Sequence, residues 1–310
     1  MLRSASGVRR DSGAKSGPHR LSGSGAPFLV RTLAALMLGT LLALIIAGAR
    51  IVSLAPALTE DLFAIGAGPH VVGVDAYSNR PAAALRLPRV GALRSVNSER
   101  ILALHPDLVV GIPYSDTQLA QLHKLGIATA SLKVDTLADD FATIVKLGVL
   151  TGHARQAAAL VARTHARIAR VTRATARLGA PRALVVVSAT PIFVAGGGSY
   201  IGDLLKAAHV LNVAGSIASA FPNISAEVVE RADPDVIVTT SMRDIDIHAA
   251  PWSRIRAVRE HHIVLLPEDD LFRPGPHVAD VLDALVHAIA PYRPATTGGA
   301  AKVTTRPSGS

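Results

Sequence analysis

The stretch "NSERILALHPDLVV", residues 97–110, is echoed later in the chain by "SAEVVERADPDVIV", residues 225–238. Each copy opens on a small polar residue, Asn97 or Ser225, and carries a glutamate two places on, Glu99 or Glu227. Seven residues after the glutamate comes Pro-Asp, as Pro106-Asp107 or Pro234-Asp235, and then a β-branched-rich run. Asn and Ser suit the cap of a helix, and a glutamate in the first turn meets the exposed N–H groups there. Proline biases its predecessor out of helical dihedrals, so the two helices are expected to stop near Leu104 and Ala232. "LVV" and "VIV" are short apolar runs of the kind found in buried parallel strands. A helix–Pro–Asp–strand unit used twice predicts two lobes of like α/β build.

Outward from the repeat, strands and helices alternate from Arg50 onward: "RIVSL", "ALTEDLFAIG", "HVVGV", then "TQLAQLHKLG", "IATASL" and "TLADDFATIVKLGVLTG". Residues 153–179, "HARQAAALVARTHARIARVTRATARLG", break this rhythm, with no strand signal and no proline or glycine before Gly179. They are expected to form one helix of about 26 residues, roughly 40 Å long. A second alternating set follows, including "RALVVVSA", "SYIGDLLKAAHVL", "HHIVLL" and "PGPHVADVLDALVHAIA". In "HHIVLL" the two histidines are expected to open the strand and point to opposite faces. The expected architecture is therefore α/β: an N-terminal lobe over 50–150, a connecting helix over 151–179 and a C-terminal lobe over 180–292. Each lobe is expected to hold a central parallel-type sheet, with a ligand cleft between the two. Residues 293–310 have the composition of a disordered tail.

The bulk numbers narrow the function. With 310 residues and 49% apolar content, two cores are affordable. The net charge is +9, but +5 of it falls in residues 1–49, leaving +4 for the rest. No basic cluster interleaves with aromatics, which argues against nucleic acid as a partner. Residues 1–49 read as an export signal or N-terminal anchor, with a basic start, the apolar run "LAALMLGTLLALIIAGA" and the small residues Ala47-Gly48-Ala49. The chain has no cysteine, which excludes disulfides, thiolate metal sites and a lipid carried on an N-terminal Cys. A periplasmic location is expected.

Catalytic signatures are missing. "GGGSYIG" at 196–202 lacks the Gly-Lys-Ser/Thr of a phosphate loop, and neither Gly-x-Ser-x-Gly nor His-Glu-x-x-His occurs. Twelve histidines are present, yet no pair has metal-ligand spacing beside a third candidate. The acidic run Glu268-Asp269-Asp270 sits near Arg273, which fits a binding loop as well as the metal site of an exported α/β enzyme. In open α/β sheets ligands gather outside the carboxyl ends of the strands, here the loops at 55–58, 75–81, 111–116, 190–199, 241–248 and 267–277. Aromatics are scarce, six Phe, four Tyr and one Trp. Tyr77, Tyr114, Phe193 and Phe272 fall in those loops, where they are expected to line a cleft.

The segments "RIVSLAPALTEDLFAIGAG", "VVGVDAYSNRP", "LPRVGALRSVNSERILALHPDLVVG", "PWSRIRAVREHHIVLLP" and "FRPGP" resemble periplasmic substrate-binding proteins of ABC importers. The resemblance is to the class with a helical backbone, which receives vitamin B12, iron–siderophores and haem, and it covers about residues 50–291. It implies a non-enzymatic protein without a cofactor of its own, acting as a monomer with a permease and its ATPase. It implies that Glu99 and Glu227 each meet arginines of the permease. Within the class the chain looks most like cobalamin binders. That likeness places Tyr77 against the corrin, Asp270, Phe272 and Arg273 near its lower face, and Phe221 where such binders have tryptophan. Haem and siderophore stay open as ligands: Tyr77 or His277 suits an iron axial position, and Arg94 with Arg273 suits an anionic siderophore.

Overall fold

The computed structural model describes residues 49–92 and 95–294. The export-signal reading, the tail beyond Pro294 and Arg94 lie outside the described residues.

The repeat is visible as two equivalent corners. In the N-terminal lobe, strand β1 (Ile51–Ser53) leads into helix α1 (Pro56–Ala64), followed by strand β2 (Val71–Val74). A short hairpin of β3 (Gly91–Ala92) and β4 (Ser95–Val96) precedes helix α2 (Ser98–Ala103) and strand β5 (Leu108–Gly111). Helix α3 (Asp116–Lys124), strand β6 (Ala128–Ser131) and helix α4 (Leu137–Leu150) complete the lobe. Apart from that hairpin, its strands form one four-stranded parallel sheet in the order β2-β1-β5-β6. In the C-terminal lobe, β7 (Arg182–Ala189) pairs in parallel with β10 (Val236–Thr239), and β10 with β11 (Ile263–Leu265). β8 (Ile192–Val194) lies antiparallel to β7, and β9 (Leu211–Asn212) pairs with β7 in parallel. The helices of this lobe are α6 (Tyr200–Ala207), α7 (Ala226–Ala232), α8 (Arg256–Arg259), α9 (Glu268–Leu271) and α10 (Val278–Ile289).

At each corner the Pro-Asp carboxylate ties down the start of the lobe's first strand. Asp107 accepts the Arg50 N–H at 2.7 Å, and Arg50 Nε donates to the Leu104 carbonyl at 2.9 Å. Asp235 accepts the Arg182 N–H at 2.7 Å, and an Arg182 guanidinium N–H reaches the Ala232 carbonyl, also at 2.7 Å. The arginine thus closes the end of α2 or α7, where backbone carbonyls have no helical partner. The residues before the prolines, His105 (φ 45°) and Asp233 (φ 34°), take up left-handed backbone, which is how the chain leaves the helix.

Between the lobes runs helix α5 (Ala154–Thr175), 22 residues and about 33 Å long. It is shorter than the expected helix over 153–179, because the chain turns after Thr175 and Leu178 N–H bonds back to the Thr175 carbonyl. His261 and His262 also depart from expectation. Strand β11 starts only at Ile263, His261 has φ 58°, and the His262 ring bonds the Asp235 carbonyl at 3.1 Å.

Side chains alternate between two environments along the central strands, as the strand period requires. Val52, Val109, Leu184 and Ile237 face cores private to one lobe. Ile51, Val110, Val185 and Val238 face a single large core that also takes in Leu62, Ile144, Leu160, Leu204 and Leu285. That shared core runs from α1 and α4 through α5 to α6 and α10, so the lobes are joined by packed apolar surface as well as by the chain. The Gly196-Gly197-Gly198 run is part of the C-terminal lobe's packing. A Cβ on these residues would stand 2.1, 2.1 and 1.9 Å from the carbonyl oxygens of Ser219, Gly215 and Ala218. The Gly196 and Gly197 N–H groups donate to Ala220 and Ile217, so they are spent on backbone pairing rather than held free for a phosphate.

Candidate ligand cleft

Strand ends from both lobes open onto a cavity of about 470 Å³. The N-terminal lobe contributes Ala55–Ala57 at the start of α1, Tyr77, Ile112 and Tyr114, with Val134 and Asp135 after β6. The C-terminal lobe contributes Tyr200, Phe221, and Glu268, Asp269, Phe272, Arg273 and Pro274 around α9. Tyr77 and Tyr114 are 61% and 64% exposed, so two phenol rings stand free at one wall. Phe221 and Phe272 face them as partly buried rings.

The Tyr77 loop is wound around a buried acid. The Asp75 carboxylate accepts the Tyr77 N–H at 2.9 Å and the Ser78 hydroxyl. Arg89 holds the Asp75 and Ser78 carbonyls at 3.0 and 2.6 Å. Beneath them the Thr59 hydroxyl links Ser78 at 2.8 Å to Ser53 at 2.9 Å. Burial raises the Asp75 carboxyl above its ordinary value, and the Ser78 and Tyr77 hydrogen bonds offset part of that. Across the cleft, Tyr200 is 2% exposed; its hydroxyl donates to the Leu271 carbonyl and its N–H to the Asp135 carbonyl at 2.6 Å.

Behind this floor the lobes meet through charge. Glu60, 5% exposed on α1, lies 3.6 Å from Arg80 and 3.6 Å from Arg273, with the His277 ring 3.7 Å away. Burial raises its carboxyl, and Arg80, His277 and Arg273 pull it back. Arg80 reaches across to Asp270 at 2.8 Å, and Asn79 donates to Asp269 at 2.9 Å. Next to Glu60, Asp61 of α1 and Asp140 of α4 are both wholly buried, and neither carboxyl makes a hydrogen bond of ordinary geometry. Burial drives both up, Asp140 to about 7 with the Gly275 backbone N–H pulling it partly back, and Asp61 is the harder to ionise for Asp140 and Glu60 beside it. Gly275, from the C-terminal lobe, closes over Asp61.

Of the residues singled out in the sequence, Tyr77, Tyr114, Phe221, Phe272 and Arg273 come together on the cleft. Phe193 sits in β8, bridged to Asn223 and away from the lining. Asp270 turns to Arg80 and, with His277, lines a neighbouring cavity of about 260 Å³. Glu99 and Glu227 occupy the second positions of α2 and α7, and both are exposed. The Ser225 hydroxyl and the Glu227 backbone N–H hold the Glu227 carboxyl below its usual value. Ile112, Glu268 and Asp269 line the cavity from loops that the sequence marked, whereas Val134, Asp135 and Tyr200 lie outside those loops and were passed over. The loop after β6 was the available signal for Val134 and Asp135, since it too leaves the carboxyl edge of the sheet. Among the described residues no group of three or more His, Cys, Asp or Glu is placed to hold a metal ion.

A cleft between two doubly covered α/β lobes on a helical backbone is the frame of a solute receptor. The family model "Periplasmic binding protein" matches residues 51–269. The chain belongs to that family. A vitamin B12-binding protein of Yersinia pestis (strain Pestoides F) is 28% identical over 256 residues, covering 81% of this chain and 89% of its own. Among solved structures, the periplasmic vitamin B12 binding protein BtuF of Vibrio cholerae superposes with a TM-score of 0.69 at 26% identity, covering 79% of this chain and 98% of that one. The periplasmic heme-binding protein RhuT from Roseiflexus sp. RS-1 gives 0.71 at 27% identity, with 79% and 99% covered. The family member is thus a binding protein of the ABC-importer class and not an enzyme.

Proposed function

We propose that this protein captures cobalamin or a related corrinoid in the interlobe cleft and hands it to an ABC permease driven by its ATPase. The observation that carries this reading is the aromatic lining: Tyr77 and Tyr114 on one wall, Phe221 and Phe272 on the other. A corrin is broad and flat with amide edges, and apolar faces with a few polar loop groups suit it. The similarity to vitamin B12-binding proteins supports the same ligand. The protein acts as an exported monomer in the periplasm. Exposed Glu99 and Glu227, one per lobe at matching helix positions, are the docking charges for permease arginines.

A haem reading has one feature in its favour, the free Tyr77 phenol in the cleft, a group able to take an axial position on iron. Calorimetric titration of the purified protein with cyanocobalamin, haemin and a ferric hydroxamate separates the readings. Submicromolar binding of cyanocobalamin is expected. Tight binding of haemin with no heat from cyanocobalamin would transfer the assignment to haem.

A further inference from the structure

We infer that the cleft selects its ligand by charge, with Asp135 and Glu268 turning away anionic ligands and favouring neutral or cationic ones. The inference rests on the cleft being the ligand site, but not on the ligand being a corrin.

Four charged side chains line the cavity: Asp135, Glu268, Asp269 and Arg273. The one cation among them is already committed. Arg273 holds Asp269 at 2.5 Å and Glu60 at 3.6 Å, donates to the Asn79 side chain, and its side chain is 15% exposed. Arg80, the nearest other guanidinium in the interlobe network, is directed at Asp270 and Glu60 and lines the neighbouring cavity. Asp135 and Glu268 are exposed on the lining and form no ion pair among the described residues. The described lining thus carries three carboxylates against one spent guanidinium, an excess of two negative charges.

One feature acts the other way. The start of α1, at Ala55–Ala57, opens onto the cleft, and a helix start carries roughly half a positive charge. Two whole negative charges outweigh it. Between aromatic walls their field is screened less than in bulk water, so a ligand's charge is felt strongly. A carboxylate-bearing or catecholate ligand entering here loses hydration and finds no free cation among the described lining residues to replace it. A neutral amide edge or a positive metal chelate meets no such penalty.

The test measures equilibrium affinities of the purified protein and of a Asp135→Asn/Glu268→Gln double variant for probes graded in charge. Cyanocobalamin (neutral) and aquocobalamin (cationic) form one series. Ferrichrome (neutral), ferrioxamine B (cationic) and ferric enterobactin (anionic) form another, with haemin as a further anion. In the unaltered protein the anionic probes should bind at least about tenfold more weakly than the neutral or cationic ones. The double variant should shrink that gap to within about threefold, and because shape is unchanged the shrinkage isolates charge. If ferric enterobactin binds as well as ferrichrome, or the gap persists in the double variant, the charge filter is overturned. If the cobalamins fail to bind while the siderophores keep their charge order, the corrin reading falls and the filter stands. Binding of none of these probes overturns both.

Discussion

Gly275 carries more of the interlobe joint than a loop glycine usually does. Its φ is +129°, and a Cβ there would stand 3.3 Å from Asp61 Oδ1 and 3.6 Å from the Ala57 carbonyl. Gly275→Ala therefore combines backbone strain with a methyl pressed onto a buried carboxyl, and is expected to cost about 1–3 kcal/mol. Urea unfolding monitored by far-ultraviolet dichroism checks this, and a loss below about 0.5 kcal/mol would show that the loop is free to shift. The same scale shows a signal that the repeat contained and that was read too narrowly. Arg50, just before β1, and Arg182, the first residue of β7, each bond the Pro-Asp carboxylate of their own copy. The twin motif is thus longer than its contiguous stretch, but the arginine lies 57 residues from its aspartate in one lobe and 53 in the other. Spacing alone does not connect groups so far apart.

At the scale of elements, α1 and α4 meet through Asp61 and Asp140. An acid whose carboxyl is raised in the folded protein binds a proton there that it releases when unfolded. Its stabilisation is fully present below the unfolded value of 3.8 and is lost as pH rises through the folded value, about 7 for Asp140. Asp61 and Glu60, both raised, act in the same direction. Asp140 is faced by Tyr200 and the Gly275 backbone from the C-terminal lobe, and Asp61 by Glu60, which itself faces Arg80 from the N-terminal lobe and Arg273 and His277 from the C-terminal one. Tyr200 is raised well above 10.0 and stays neutral throughout the window. The melting temperature should therefore be higher at pH 5 than at pH 8, by about 5–10 °C; Asp140→Asn should reduce the difference, and Asp61→Asn combined with Asp140→Asn should remove most of it. A profile that rises from pH 5 to pH 8 would contradict the buried-pair description.

For the whole molecule, the shared apolar core through α5 limits how far the lobes can part. Opening wide would expose side chains such as Leu160, Leu204 and Leu285, so ligand capture should proceed by small tilts. Solution scattering should change little between the free and the saturated protein. Docking is the second whole-molecule property. Glu99 and Glu227 are exposed and touch no core, so Glu99→Arg with Glu227→Arg should leave ligand affinity and melting temperature nearly unchanged. Association with the permease should fall at least about tenfold, since like charges would then meet. Normal docking by that double variant would reduce the repeat to a property of the fold.

The sequence by itself determined the two α/β lobes, the helix joining them and the loops at the strand ends, because these follow from periodicity, caps and prolines acting over a few residues. It also singled out Tyr77, Tyr114 and Phe272, since aromatics in strand-end loops are conspicuous in a chain with so few, but it named Phe193, which is off the lining, and missed Tyr200. What only the tertiary structure decided is which charges are free. Asp270 and Arg273 look alike in sequence as polar loop residues, yet Asp270 turns to Arg80 and Arg273 is neutralised by Asp269 and Glu60. Asp61 and Asp140 look like ordinary helix acids until the C-terminal loop closes over Asp61 and both lose water. Charge pairing and desolvation depend on neighbours far along the chain, and those neighbours are known only once the lobes have met.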